Sequence, residues 1–333
     1  MRELEALASK LGLRFEHAGM VPGARLHGVL DGVGVDLIAN PSSITTRGWF
    51  STPLDLGLSI VAHVPFAPAF RNRVTVGEDS WDLEIDAYAD EPDRGRALLC
   101  DELRSIVTQC NIGDPLFRID DRHVELHGFA FDAEVFLRRV AAVGAAVEAA
   151  RREVPVAMPL ARCAEAWSAV ARARNLDWQS TPLGIRGATD GLGLDVSTLR
   201  RSRGGHDVGI RLRVLEPAMV PKLRIRRETT ADRVRAFFMR GEVQIGDDAF
   251  DRAFLIDCLD ADLARRVLSP PVCAQLVELC ARFEAVELSG AALSLSGDAA
   301  AVQPADLDRA LTLGAALAES IANAAAESRG PYR

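Results

Sequence analysis

The stretch GDDAFD at residues 246–251 decides the fold, because GEDSWD at residues 77–82 repeats its pattern 169 positions earlier. The same offset holds without a gap as far as Gly128 and Gly297. Eight of these 52 positions are identical, and the apolar positions coincide throughout, as they do at Trp81 and Phe250. A fixed order of matched blocks indicates that the chain contains one domain twice.

Upstream blocks extend the repeat at slightly smaller offsets. Asp31-Gly32 and Asp190-Gly191 each lie between two apolar runs, which is the strongest local signal for a β-hairpin. We therefore predict repeat one at residues 1–152, a linker at 153–160 that contains two prolines, and repeat two at 161–333. Two such domains are expected to pack about a pseudo-twofold axis.

Periodicity within each repeat predicts an α+β domain with antiparallel sheets and the order α-β-β-β(-β)-α-β-β-α. We expect a helix at 93–110 and at 262–279, with an interruption in the second copy at Pro270-Pro271. Residues 81–87 and 250–258 are predicted strands. A hairpin and an alanine-rich helix, at about 132–152 and 305–327, close the two repeats.

Composition indicates a cytoplasmic protein. The chain has 333 residues and a formal net charge of −8, and its start carries acidic residues where a signal peptide has basic ones. No segment is long and apolar enough for a transmembrane helix. The six cysteines share no position between the repeats and form no CxxC pair, so we expect free thiols rather than disulfides or a zinc site.

The block at 246–251, followed by Ala264, Arg265 and Leu268, resembles a block found in a family of uncharacterised bacterial proteins. That resemblance covers both repeats and implies no activity. The order of elements separately resembles the small acidic chaperones of type III secretion effectors. The second resemblance rests on topology and net charge, and it implies a binding role rather than a site.

His123, Glu125 and His127 are the residues that most resemble an active site. They alternate along a predicted strand, so all three project from one face, where two imidazoles and a carboxylate could hold zinc. A solvated hairpin face explains the same pattern. The acidic residues of 77–82 and 246–251 suit either turn formation or a divalent cation, and turn formation is favoured. No cofactor motif is present, because the Asp-Gly-x-Gly segments lack the third glycine of a dinucleotide-binding loop.

Basic residues concentrate between positions 200 and 240, where twelve basic and four acidic side chains give a local charge of +8. Alternation places Arg211 and Arg213, and also Arg224 and Arg226, on the outer face of a sheet. At an offset of 152, repeat one carries Ser59 and Val61 at the positions of the first pair, which makes residues 222–241 a basic insertion of repeat two. The arginines either bind a partner or pair with acidic residues of repeat one.

Two aromatic segments are further candidates for contact with a partner, namely Trp49-Phe50 in a predicted loop and Phe237-Phe238-Met239 in the insertion. They serve equally well as apolar clusters beneath long loops.

The function expected from the sequence is non-catalytic. The first hypothesis is an adaptor or chaperone-like protein that binds another protein. The alternatives are a module that binds an acidic protein, anionic lipid or a polyanion through the arginines of repeat two, and a metal-dependent hydrolase at the His-Glu-His strand. Nucleic acid is the least favoured partner, because the net charge is negative. The sequence leaves the oligomeric state open; a monomer with the form of a covalent dimer fits the repeat.

Overall fold

The computed structural model describes residues 2–17, 23–63, 72–111, 117–128, 133–201, 205–228 and 243–328. The chain forms two compact units, the first comprising 1–155 with 180–182 and the second comprising 156–179 with 183–333. Each unit has its own hydrophobic core. The predicted α+β class is confirmed, since helices accompany two similar antiparallel sheets.

The first unit begins with a helix and ends with a longer one. Its elements are α1 (Arg2–Leu11), β1 (Arg14–His17), β2 (Ala24–Leu30), β3 (Val33–Ala39), β4 (Ile44–Trp49), β5 (Ser59–Ala62), β6 (Arg73–Val74), α2 (Asp79–Glu84), β7 (Ile85–Tyr88), α3 (Pro92–Leu98), α4 (Asp101–Asn111), β8 (Phe117–Asp120), β9 (His123–Gly128) and α5 (Ala133–Ala150).

The second unit follows the same plan. Its elements are α6 (Met158–Ala173), β10 (Asp177–Ser180), β11 (Leu183–Thr189), β12 (Leu192–Arg200), β13 (His206–Val214), β14 (Leu223–Arg227), α7 (Asp248–Ala253), β15 (Phe254–Cys258), α8 (Ala261–Val267), α9 (Pro270–Cys280), β16 (Ala285–Ser289), β17 (Ala292–Asp298) and α10 (Asp306–Ser328).

The two sheets have corresponding strand orders, β1-β2-β3-β4-β9-β8-β5-β7-β6 and β10-β11-β12-β13-β17-β16-β14-β15. The predicted Asp-Gly hairpins are confirmed, because β2 pairs with β3 and β11 with β12 across two-residue turns. Asp31 and Asp190 have φ of 51° and 50°, and the glycines that follow have φ of 82° and 76°. Positive φ at both central residues is the requirement of a type I′ turn.

Each sheet is covered on its inner face by the closing helix of its unit. Gly144 of α5 and Gly314 of α10 permit this close packing, because an added Cβ would lie 2.8 Å from Val33 and 3.0 Å from Leu192 respectively. Inward-facing residues along the strands are apolar and buried, as alternation requires. The opposite, outer faces of the sheets carry the polar side chains that concern function.

The structure corrects three local predictions. Trp81 and Phe250 lie in the short helices α2 and α7 rather than in strands, although they do occupy equivalent elements. The helix predicted at 93–110 is two helices, broken after Leu98. In the second unit the predicted interruption at Pro270-Pro271 is confirmed, because one helix ends at Val267 and the next begins at Pro270. The predicted linker is partly helical, because a 3₁₀ turn ends at residue 153 and α6 begins at 158.

Among the described residues, no helix is long and apolar enough to cross a membrane. All six cysteines lie in described segments and are free thiols.

Candidate functional site

The acidic residues of the matched blocks organise turns. Asp82 accepts hydrogen bonds from the backbone amides of residues 76 and 77, at 3.1 and 3.0 Å, and Asp251 accepts the equivalent pair from residues 245 and 246 at the same distances. Asp247 additionally caps the start of α7. In the part of the chain that the structure describes, no cluster of His, Cys, Asp and Glu could hold a metal ion. Asp82 and Asp251 lie in the short helices α2 and α7 and not in the predicted strands.

The outer face of the first sheet carries the predicted His-Glu-His strand, which is β9. Glu125 is bound by Arg47 of the neighbouring strand β4 and by His127, whose Nε2 lies 2.9 Å from its Oε1. The other ring nitrogen of His127 lies 2.9 Å from the hydroxyl of Thr45. Burial raises the pKa of Glu125, but the hydrogen bonds from Arg47 and His127 outweigh burial and leave the pKa below its ordinary value.

His123 lies near Glu125 as well, with its Nε2 3.7 Å from Oε2 of that carboxylate, and it has two further neighbours. Its Nδ1 lies 3.0 Å from Asp120, and its ring stacks on Trp49 with the centroids 4.9 Å apart. A guanidinium therefore neutralises the carboxylate that would have to ligate a cation, and both ring nitrogens of His127 face hydrogen-bonding partners. This arrangement suits a hydrogen-bonded sheet surface better than a hydrolytic zinc centre.

The aromatic residues at positions 49 and 50 differ in their exposure to solvent. Trp49 is 40% exposed on the outer face, which leaves it available for contact. Phe50 is 8% exposed and belongs to the first core, so its prediction as a contact residue is wrong. Alternation explains the difference, because consecutive residues of a strand face opposite sides of the sheet. Phe237, Phe238 and Met239 lie outside the described residues.

The pairing of the strands shows which residues of the first unit match the four arginines of the second unit. Arg211 of β13 lies opposite Asp195, as Arg47 of β4 lies opposite Asp36. Arg211 therefore matches Arg47, and Arg213 matches Trp49. The predicted match of this pair to Ser59 and Val61 is wrong.

Ser59 and Val61 instead correspond to Arg224 and Arg226. Ser59 and Val61 pair with residues 88 and 86 of the neighbouring strand, and Arg224 and Arg226 pair with residues 257 and 255. Residues 257 and 255 are the matches of 88 and 86 at the offset of 169. Residues 223–227 are thus the counterpart of β5 rather than part of an insertion, and 229–241 lie outside the described residues. Arg224 donates to Glu287 at 2.8 Å, within its own unit.

Arg211 differs from Arg47 in its neighbour. Ser294 of β17 stands opposite Arg211, whereas Glu125 of β9 stands opposite Arg47. Both Arg211 and Arg213 are exposed, and within the described part of the chain carboxylates pair with Arg186 and Arg224 but with neither of these two. Within the described residues, the predicted basic patch therefore offers Arg211 and Arg213 as exposed arginines for which no carboxylate partner is seen. The sequence signal for this difference is the serine at position 294, which matches Glu125 at the offset of 169.

The comparisons with known proteins give little guidance. No protein-family model and no curated protein matches the chain. A solved structure, the mycobacterial trehalose monomycolate transport factor TtfA, is similar at a TM-score of 0.36 and 9% identity, over 46% of this chain and 95% of that one. A similarity of this size carries no argument about fold or function.

Proposed function

We propose that the chain is a non-catalytic binding protein and that the outer face of its second sheet binds an acidic protein segment. The observation that carries the proposal is the exchange of Glu125 for Ser294. Arg47 is neutralised by its neighbour, whereas Arg211 keeps the same place without that carboxylate. An exposed arginine without an ionic partner is free to pair with a carboxylate from another molecule.

The spacing of the arginines favours an extended segment. Arg211 and Arg213 are two residues apart on one strand, which places their Cα atoms about 7 Å apart on the same face. Carboxylates at alternate positions of an extended peptide have the same spacing. Small side chains at Ser294 and Ser296 of the adjacent strand leave room for a backbone to approach the sheet. Planar guanidinium groups can then donate two hydrogen bonds to each carboxylate.

We further propose that the protein acts in the cytoplasm as an adaptor or in a chaperone-like role. Free thiols are the usual state of cysteine in that compartment, and this supports the assignment. The net charge of −8 over the whole chain disfavours long-range attraction of nucleic acid. The proposed family of bacterial proteins with the same block is consistent with this role and does not define it.

The test compares two double variants of the full chain. Arg211→Glu with Arg213→Glu reverses the proposed site, and Arg252→Glu with Arg265→Glu makes the same charge change on exposed helical arginines. Binding of a fluorescein-labelled hexaglutamate peptide is measured by anisotropy over a range of salt concentrations. We expect the first variant to lose most of the affinity and its salt dependence, and the control to keep both.

Melting temperature is measured before binding, because substitution of exposed residues changes stability by less than about 0.5 kcal/mol. A large loss of stability in the first variant would mean that the arginines serve the fold. Equal peptide binding by both variants would refute the proposed site. Binding to vesicles of anionic lipid but not to the peptide would favour the alternative of an anionic surface.

A further inference from the structure

The first unit contains a groove on one face of its sheet. It has a volume of about 450 Å³ and lies on the outer face of the first sheet, beside β5, β7 and β8. Its lining includes Ser59, Val61, Asn72, Tyr88, Asp90 and Arg118. Drug-sized ligands occupy sites of about 300–1,000 Å³, so the volume suits a small molecule.

Strand register gives the groove a floor and two walls. Ser59 and Val61 of β5 form the floor, because this strand lies between β8 and β7. Arg118 of β8 forms one wall and Tyr88 of β7 the other. Two interstrand spacings separate these strands by about 10 Å, which leaves room for a planar ring lying over the floor.

The end of the groove at residue 57 is held in place by one side chain. Asp121 accepts hydrogen bonds from the backbone amides of residues 56, 57 and 58, at 3.1, 2.9 and 2.9 Å. The corresponding residue in the second unit is Gly290, which has no carboxylate. The loop at this end is therefore ordered by an interaction that is specific to the first unit.

The second unit fills the equivalent space with its own side chains. Arg224 and Arg226 stand where Ser59 and Val61 form the floor, and Glu287 stands in the place of Arg118. Arg224 reaches Glu287 across the strands at 2.8 Å. At these matched positions the second unit therefore has an exposed ion pair where the first unit has Ser59 and Arg118.

Arg118 is the cation of the groove. Its side chain is 57% exposed, and its nearest described carboxylate is Asp120 at 3.9 Å, beyond hydrogen-bonding distance. Asp90 is the carboxylate among the lining residues, and it lies at the end of the groove beside Gly57. The nearby carboxylate of Asp86 is bound by His63 and Arg73. Burial, and then the charge of Asp86, raises the pKa of Tyr88, so its hydroxyl stays protonated at neutral pH and can donate a hydrogen bond.

We infer that this groove binds a small planar carboxylate, with the carboxylate on Arg118 and the ring between Arg118 and Tyr88 over the floor of β5. The class follows from one cation that can form two parallel hydrogen bonds and from a flat floor of small side chains flanked by an aromatic ring. The site belongs to the first unit and does not depend on the arginines of the proposed function.

The probe is 2-naphthoate, and 2-naphthamide is its neutral counterpart. Binding to the full chain is measured by ligand-observed NMR titration. We expect a Kd of about 1 mM for 2-naphthoate, the affinity that a ligand of this size reaches at ordinary efficiency. The amide should bind about tenfold more weakly, because it cannot form the charged pair.

Three variants distinguish the groove from general adsorption. Arg118→Gln should weaken 2-naphthoate about tenfold, and the exposed neighbour Arg122→Gln should leave the affinity unchanged. Ser59→Arg with Arg118→Glu reproduces the ion pair of the second unit and should abolish binding while circular dichroism remains unchanged. Equal affinity for acid and amide, equal affinity of Arg118→Gln and wild type, or no saturation by about 10 mM would each overturn the inference.

Discussion

Removal of the Asp251 carboxylate tests whether the aspartate of the repeated block stabilises the turn that precedes it. In the structure this carboxylate accepts hydrogen bonds from the backbone amides of residues 245 and 246 and so joins α7 to the turn before it. Asp82 makes the same two bonds in the first unit. Asp251→Ala leaves the two amides without their acceptor and keeps the apolar packing of Phe250.

The cost can be worked out from these two bonds. A hydrogen bond to a charged group contributes about 1.5–3 kcal/mol when the site is shielded from water. Residue 246 is exposed and residue 245 is half-buried, so water replaces part of each bond, and we take about 1 kcal/mol for each. The expected loss is therefore about 2 kcal/mol, which lowers Tm by about 4–8 °C in a unit of this size.

Hydrogen exchange followed by mass spectrometry separates the two units. Asp251→Ala should raise exchange in peptides covering 243–258 and leave 74–88 unchanged, and Asp82→Ala should do the reverse. Asp248→Ala is the matched control, because it removes the same charge from an exposed position of the same helix. A loss below about 0.5 kcal/mol for Asp251→Ala, or an equal loss for the control, would refute the reasoning.

Three further predictions concern buried or paired groups. The guanidinium of Arg151 is buried and hydrogen-bonded, so Arg151→Met should cost about 3 kcal/mol in urea unfolding, whereas the exposed neighbour Arg152→Met should cost less than about 0.5. Exposed Cys100 should react with a thiol reagent first, and Cys273 only on unfolding, because burial raises the pKa of Cys273 to about 12. The pKa of Glu125 is lowered in the folded state, so it contributes stability above an unfolded value near 4.5 and loses it as pH falls. Glu125→Gln should therefore flatten the acid side of a stability–pH profile, and an unchanged profile would contradict the assigned pairing.

The sequence predicted the features that rest on local or periodic signals. Asp-Gly between apolar runs specified both hairpins, because few residues other than Gly, Asn and Asp adopt positive φ at low cost. Matched apolar positions placed Trp81 and Phe250 in equivalent elements, although their helices are too short to show a helical period. Pro270-Pro271 indicated the break between the helices of the second unit, whereas the break after residue 98 was not predicted, because the first unit has no proline at that place.

Side-chain partners across strands could not be predicted in the same way. The sequence distance between matched residues of the two repeats changes from 159 to 169 along the chain. An error in this distance matches a residue to a position on the wrong strand. Because of such an error, Arg211 was matched to Ser59 of repeat one, whereas the strand register matches it to Arg47. The pairing of Arg224 with Glu287 likewise joins residues 63 positions apart, and no local pattern indicates it.

The two sheets diverge on one face for a physical reason. Removing a large apolar side chain from the inner face costs about 2–5 kcal/mol, whereas an exposed outer position changes stability by less than about 0.5. Inner positions therefore stay apolar in both units, and the outer face is free to change. In the first unit Glu125 neutralises Arg47, and small residues leave a groove open beside Arg118. In the second unit Ser294 leaves Arg211 unpaired within the described residues, and Arg224 pairs with Glu287 at the positions that match Ser59 and Arg118. Arg118 is thus exposed in the first unit, where the second unit has Glu287, and Arg211 is exposed in the second unit, where the matching Arg47 of the first unit is neutralised. This pattern is expected if one scaffold supports two different binding surfaces.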